Sequence, residues 1–317
     1  MPSVLPPALP PVPPLSRRIL LQGAAALAGA GLAPTLLRPA RAGEALITRP
    51  IPSSGERLPA MGIGTSRRYE VALTPEATAP LREAVERFVA LGGRVIDTAP
   101  SYGTAEDVLG LILQGLREKI FFATKVAARG REASEAETAR SFQRLRTDTI
   151  DLIAVHNLVD TETNLAVLRA LKDKGRIRYL GVTVWRDEQF PDLETVMKRE
   201  KLDFVQVNYA LDSRLAAERV LPLAAERGVA VMVNVPFGRD RLFKAVKDKP
   251  LPDFATEFGC RSWAQFFLKY VLANEAVTCP IPGMAKARYV EDNLAAATGR
   301  LPDAAERRKM EAFIDAV

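Results

Sequence analysis

Four side chains able to hold or steer a proton stand close together in the first half of the chain: Asp97, Tyr102, Lys125 and His156. A phenol keeps its proton at neutral pH, and a neighbouring ammonium favours the phenolate and makes the phenol a readier acid. Lys125 would be that ammonium. A buried ammonium needs a counter-charge, which Asp97 would supply. His156 can donate a hydrogen bond to an oxygen and orient it. Together the four could pass a proton to a substrate oxygen held among them. Each alone has an ordinary structural role. Asp97 can cap a turn, Tyr102 can pack with its hydroxyl in water, Lys125 can snorkel to the surface, and His156, the chain's 1 histidine, can be structural. The functional reading rests on the set. A single histidine also argues against a barrel whose metal needs several His ligands, so no metal is expected.

These residues act together only if the fold brings them to one place. Short apolar runs at 61–65, 95–98, 120–124, 152–156, 179–184, 204–209, 229–236 and 277–280 alternate with helix-like stretches. Leu81, Val85, Phe88 and Val89 show the helical spacing, as do Phe266, Phe267, Tyr270 and Val271. Apolar strands joined by helices imply a parallel sheet buried on both faces. Eight such units predict an α/β fold closed into a (β/α)8 TIM barrel. The absence of G-x-G-x-x-G after the first run argues against an open dinucleotide-binding sheet. Barrel sites form at the C-terminal strand ends, where the second, third and fourth runs end in Asp97 to Tyr102, Lys125 and His156. Ahead of the first run, Pro52-Ser53-Ser54-Gly55 predicts the turn of an N-terminal β-hairpin that plugs the barrel's bottom. No linker is visible, so residues 43–317 read as one barrel domain.

The run Asp97-Thr98-Ala99-Pro100-Ser101-Tyr102-Gly103, with Ala105-Glu106 and Leu109-Gly110, resembles the aldo-keto reductase signature. Lys125 and His156 complete a set resembling that family's catalytic tetrad, and the resemblance spans residues 46–317. It implies an NADP-dependent oxidoreductase that reduces aldehydes or ketones, with Tyr102 as general acid and a small-molecule carbonyl compound as substrate. The segment from Pro280 to Asn293 resembles the family's nucleotide-binding stretch, an Ile-Pro-Gly loop entering a helix. That implies backbone contacts at Gly283 and Met284, and adenine contacts at Asp292 and Asn293. Lys286 and Arg288 would hold a 2′-phosphate, favouring NADP(H) over NAD(H); a solvated helix start is the alternative. Thr183 and Gln206 match positions that hold the nicotinamide carboxamide, although Gln206 is also an ordinary barrel-interior polar residue. Two positions depart from the family. Val184 stands where an asparagine is usual, and Asn234 where a tyrosine stacks on the nicotinamide. Trp185 or Phe237 would compensate, and Trp185, Phe237 and Tyr69 are candidates for an aromatic wall. Arg239 and Arg241 would embrace the pyrophosphate or form a solvated loop. The altered cradle keeps a second reading open, an exported nucleotide-bound sensor or partner subunit with little turnover.

The net charge of +6 is unevenly placed. Residues 1–42 hold Arg17, Arg18, Arg38 and Arg41 with no acid and no lysine, and setting those four aside leaves +2. No nucleic-acid footprint remains. Ser16-Arg17-Arg18-Ile19-Leu20-Leu21-Gln22, a mild apolar stretch over 19–37 and then Ala40-Arg41-Ala42 read as a twin-arginine signal peptide cleaved near Ala42. The expected partner is the twin-arginine export machinery and the expected location the periplasm, with no stable membrane span in the mature form. A nucleotide would then have to be loaded before export. Cys260 and Cys279 do not make a disulfide framework, and the apolar surroundings of Cys279 suggest a buried thiol.

Overall fold

The computed structural model describes residues 45–317, and the twin-arginine-type segment with its cleavage site near Ala42 lies outside the described residues. Two short strands, β1 (Thr48–Pro50) and β2 (Arg57–Pro59), pair antiparallel. Eight parallel strands follow: β3 (Gly62–Gly64), β4 (Val95–Asp97), β5 (Phe121–Val126), β6 (Ile150–His156), β7 (Ile177–Thr183), β8 (Phe204–Asn208), β9 (Ala230–Asn234) and β10 (Val277–Pro280). Each pairs with its neighbours in chain order. Just past β10 a parallel bridge joins Gly64 to Gly283, and the Gly64 amide donates to the Pro282 carbonyl at 2.9 Å. The sheet therefore curls into a nearly closed (β/α)8 barrel. A Cβ on Gly64 would lie 2.5 Å from the Ile281 carbonyl oxygen, so this seam needs a residue without a side chain.

The connections are helical: α1 (Pro75–Ala90), α2 (Ala105–Ile112), α3 (Arg131–Leu145), α4 (Thr161–Asp173), α5 (Phe190–Arg199), α6 (Leu215–Glu218), α7 (Val220–Arg227), α8 (Arg241–Ala245) and α9 (Trp263–Leu272). Two more, α10 (Ala287–Ala295) and α11 (Ala304–Asp315), follow β10. Local sequence sets their ends. The Thr74 hydroxyl caps α1 with Pro75 in its first turn, and Ser262 caps α9 by accepting from the Gln265 amide. Leu81, Val85 and Phe88 form the buried face of α1, as their spacing predicts.

Strand side chains alternate between two apolar cores. Outward-facing residues such as Ile96, Phe122, Ile153 and Val205 pack under the helices. Phe121, Ala123, Leu152, Tyr179, Phe204 and Met232 fill the barrel, together with Ile51 and Leu58 from the hairpin. The hairpin thus plugs the bottom. Its turn is bonded there through Ser54 and Glu56, both within 2.8 Å of the Tyr179 hydroxyl. Cys260 and Cys279 are buried free thiols, and burial pushes the Cys260 pKa up to about 12 and that of Cys279 higher still.

Candidate active site

The two-residue period that fills the barrel also builds its upper rim. Asp97 follows Val95 on the inward face, Lys125 follows Ala123, and His156 follows Ala154. Thr183 follows Gly181, Gln206 follows Phe204, and Asn234 follows Met232. At the C-terminal strand ends the inward residue thus changes from apolar to polar. Side chains more than one hundred residues apart in sequence meet there: Gln206 Nε2 donates to Asp97 Oδ1 at 2.9 Å.

Lys125 is fully buried, and its Nζ donates to both Asp97 carboxylate oxygens and to the Thr98 carbonyl, each at 2.7 Å. Burial opposes both charges and pushes the Asp97 pKa up. Desolvation is the largest influence on Lys125, but Asp97, Tyr102 and Glu106 together outweigh it, so the net direction is upward and the ammonium stays charged. Four contacts converge on the pair, all of them donated to the ionised carboxylate or by the ammonium, so it is an ion pair. Gln206 in turn accepts from the Thr183 hydroxyl at 2.8 Å. These two residues extend the pair's hydrogen-bond network. One Gln206 donor is already engaged, which narrows the expected contribution to a carboxamide.

Lys125 Nζ lies 5.4 Å from the centre of the Tyr102 ring. The Tyr102 and His156 rings meet edge to face at 6.2 Å between centroids. The expected lowering of the phenol's pKa is not what this environment produces. Burial pushes it up, and Asp97 cancels part of the pull of Lys125, so the net direction is upward. Tyr102 therefore retains its proton across neutral pH. Burial and the Lys125 charge together lower the His156 pKa to about 4, leaving a neutral imidazole with one N–H to donate.

With Lys125 buried behind them, Asp97, Tyr102 and His156 line a cavity of about 600 Å³, a size typical of small-molecule and cofactor sites. Thr183, Gln206, Asn234 and Gly283 line it, as do Trp185 and Phe237. Other expected residues lie elsewhere. Met284 is buried, and its carbonyl accepts from the Tyr69 hydroxyl at 3.0 Å. Tyr69 is therefore a core residue and not part of an aromatic wall. Lys286 is the N-cap position of α10 and Arg288 follows inside its first turn, beyond the cavity lining. Asp292 accepts from Ser262 Oγ at 2.8 Å and Gln265 Nε2 at 2.7 Å, so it clasps α10 to α9. Asn293 is buried on the same helix. Arg241 pairs with Asp212 at 2.8 Å, away from the cavity, whereas Arg239 lines it.

Arg67 and Arg68 also line the cavity, and the sequence reading missed both. The available signal was an Arg-Arg pair directly after the first barrel strand. Glu106 of the signature run plays a buried structural part: it accepts from Thr124 Oγ1 at 2.7 Å, tying α2 to β5 beside Lys125. Of the nine non-glycine residues with positive φ among the described residues, five line this cavity: Arg67, Asn157, Val235, Arg239 and Asp240. A β-branched residue such as Val235 at φ 51° is strained by about 1–3 kcal/mol, and such strain concentrates at functional sites. Among the described residues no cluster of His, Cys, Asp and Glu could hold a metal. Nor is any helix among them long and apolar enough to cross a membrane.

The residues present fit a nicotinamide nucleotide. Asn157 Oδ1 and Asn234 Oδ1, on residues lining the cavity, are buried without a partner among the described residues. The Asn234 amide nitrogen donates to the Val184 carbonyl at 2.9 Å, which leaves its oxygen as an acceptor. The departure at Val184 and that at Asn234 are thus one local arrangement.

Comparison with known proteins agrees with this geometry. Residues 60–312 match the aldo/keto reductase family. The chain is 32% identical over 247 residues to methylglyoxal reductase YeaE of Escherichia coli, covering 75% of this chain and 85% of that protein. It superposes with a TM-score of 0.70 on an aldo-keto reductase from Klebsiella pneumoniae in complex with NADPH, at 26% identity over 82% of this chain and 92% of that one. An aldo-keto reductase from Bacillus halodurans in its holo form has the same TM-score of 0.70 at 23% identity, covering 84% of this chain and 96% of that chain, and so supports the fold alone. The chain belongs to the aldo/keto reductase family and is an NAD(P)-dependent oxidoreductase.

Proposed function

We propose that this protein reduces aldehydes or ketones to alcohols with NADPH, using Tyr102 as the general acid. The observation that carries the reading is the buried Lys125–Asp97 ion pair set beside Tyr102, with Asp97 and Tyr102 lining the cavity. Bound NADPH would supply a hydride to the carbonyl carbon. The Tyr102 hydroxyl gives its proton to the carbonyl oxygen, and Lys125 stabilises the phenolate that remains. Asp97 holds Lys125 in place, and neutral His156 donates a hydrogen bond that orients the carbonyl oxygen. Asn234, with Thr183 and Gln206, faces the carboxamide. Gly283 and the cationic start of α10, with Lys286 and Arg288, suit the phosphates and favour NADP over NAD. NADPH in the Klebsiella relative supports that preference.

The test is NADPH oxidation by residues 43–317 with a panel of reactive aldehydes, beside Tyr102→Phe. Turnover should fall by roughly 100-fold or more in the variant while NADPH binding persists. Undiminished turnover would sink the role of Tyr102. A sensor or partner subunit with little turnover is the second reading, drawn from Val184 in the carboxamide cradle. NADPH retained through purification, with no activity on any carbonyl, would favour it. Residues 1–42 act in this proposal as a twin-arginine signal that delivers the loaded barrel to the periplasm. Replacing Arg17 and Arg18 by lysine should then hold the protein in the cytoplasmic fraction, and unchanged fractionation would refute export by that route.

A further inference from the structure

The cations around the cavity fall into two groups. Arg68 packs its side chain over Gly283, where an added Cβ would meet its Cγ at 3.2 Å. Its charge acts on Tyr289 together with those of Lys286 and Arg288, so this group gathers at the start of α10. Arg67 precedes it at φ 60°, and its charge acts with the other group. Two members of that second group flank Trp185. The Arg239 guanidinium stacks 3.9 Å from the Trp185 ring centre and that of Arg186 4.5 Å from it. Arg67 and Arg239 line the cavity with Tyr102 and His156.

None of Arg67, Arg186 and Arg239 has a carboxylate within ion-pair distance among the described residues, although Asp240 lines the same mouth. Glu70 accepts from the Arg67 backbone amide at 2.8 Å, holding the turn that carries this arginine. Arg241, the fourth nearby guanidinium, is neutralised by Asp212 at 2.8 Å. Slight burial and repulsion from Arg67, Arg186 and Arg241 together lower the Arg239 pKa. The interaction of Tyr102 with the same guanidinium puts Arg239 near the reacting end of the cavity. Like charges held together without a counter-charge favour an anion between them, and planar guanidiniums suit carboxylate or phosphate oxygens. Stacking on Trp185 restrains two of the three before a ligand arrives.

We infer that Arg67, Arg186 and Arg239 form a substrate-anion site, so that the carbonyl compound reduced beside Tyr102 carries a carboxylate or phosphate group. The inference rests on the reductase reading for its reaction but not for its binding. The competing source of the same anionic chemistry is the nucleotide's own pyrophosphate, and the experiment separates the two.

Matched substrates, 4-oxobutanoate against butanal and glyceraldehyde 3-phosphate against glyceraldehyde, are compared by kcat/KM in the full-length-barrel protein and in Arg239→Gln and Arg239→Lys. At least one charged substrate should exceed its neutral match, and Arg239→Gln should reduce that ratio by about 10-fold to 100-fold. Arg239→Lys should restore part of it. Equal kcat/KM within both pairs would overturn the inference. So would a weakening of NADPH binding in Arg239→Gln large enough to account for the loss, which would give the site to the pyrophosphate. Calorimetry with 4-hydroxybutanoate against butanol, on NADPH-treated protein, gives a reading that needs no turnover. Binding of the acid alone, lost in Arg239→Gln, supports the site even if neither aldehyde is reduced, a result that would sink only the reductase reading. No binding of the acid overturns the inference.

Discussion

The two ends of this barrel are built from the same strands and follow opposite rules. At the bottom, Phe121 and Tyr179 stack at 5.8 Å, Phe204 packs against both, and the hairpin's Ile51 and Leu58 seal them in. Charges there are matched: Arg178 bonds Asp151 at 2.8 Å and also pairs with Glu56. At the top, among the described residues, buried amide oxygens of Asn157 and Asn234 lack partners, non-glycine residues adopt positive φ, and three arginines lack carboxylates. A stable end satisfies its polar groups internally, whereas a binding end leaves donors, acceptors and charge for a ligand. The contrast marks the site independently of any sequence motif.

The comparison breaks most visibly at the one ion pair buried at the top. Lys125→Met should leave Asp97 buried and unpaired, cost about 3–5 kcal/mol of stability and abolish turnover, read by urea unfolding beside NADPH oxidation. Retained activity would place the essential charge elsewhere. At the bottom, Phe121→Ala should cost a similar or smaller amount, about 3–5 kcal/mol, by opening a cavity. Its kcat, assayed well below the melting temperature, should stay close to that of the parent, and a large fall would mean that the two ends are coupled. Asn234→Leu is a smaller perturbation. Losing one acceptor and the bond to Val184 should weaken NADPH binding about 10-fold, measured by fluorescence titration. Unchanged affinity would remove Asn234 from the carboxamide cradle.

The smallest effect concerns pH. His156 has its pKa lowered from 6.5 to about 4 by burial and by Lys125, so the unfolded chain binds the extra proton first as pH falls. The stability it contributes is full above about pH 6.5 and is lost progressively as pH falls toward about 4. His156→Gln should therefore flatten the dependence of unfolding free energy on pH between those values. An unaltered slope would mean that the imidazole is already charged in the folded protein.

Much of the rim was legible because period-two alternation and strand-end position are local properties. Asp97, Lys125 and His156 each end an apolar run on its inward phase, so their convergence follows once eight runs close a barrel. The seam between Gly64 and Gly283 was not legible, since it joins the two ends of the sheet. Strand limits also shifted: β6 begins at Ile150 and β9 stops at Asn234, because pairing with the neighbouring strand, not apolarity, sets where a strand ends. Asp292 also accepts from Ser262 and Gln265, a clasp between helices that no local pattern announces. Tyr69 looked like a wall because an aromatic after a strand end has no local mark that separates cavity from core.

By itself the sequence determined the eight-unit pattern, the hairpin and the identity and order of the four residues at the rim, all of which depend on spacing along the chain. Only the tertiary structure decided that burial outweighs Lys125 and keeps the Tyr102 proton, that Gln206 bonds Asp97, and that the charge of Arg67 acts on Arg239, which flanks Trp185 with Arg186. Those outcomes depend on distances between residues far apart in the chain and on how much water is excluded between them. Electrostatic energy varies with both, and neither is a property of any single stretch of sequence.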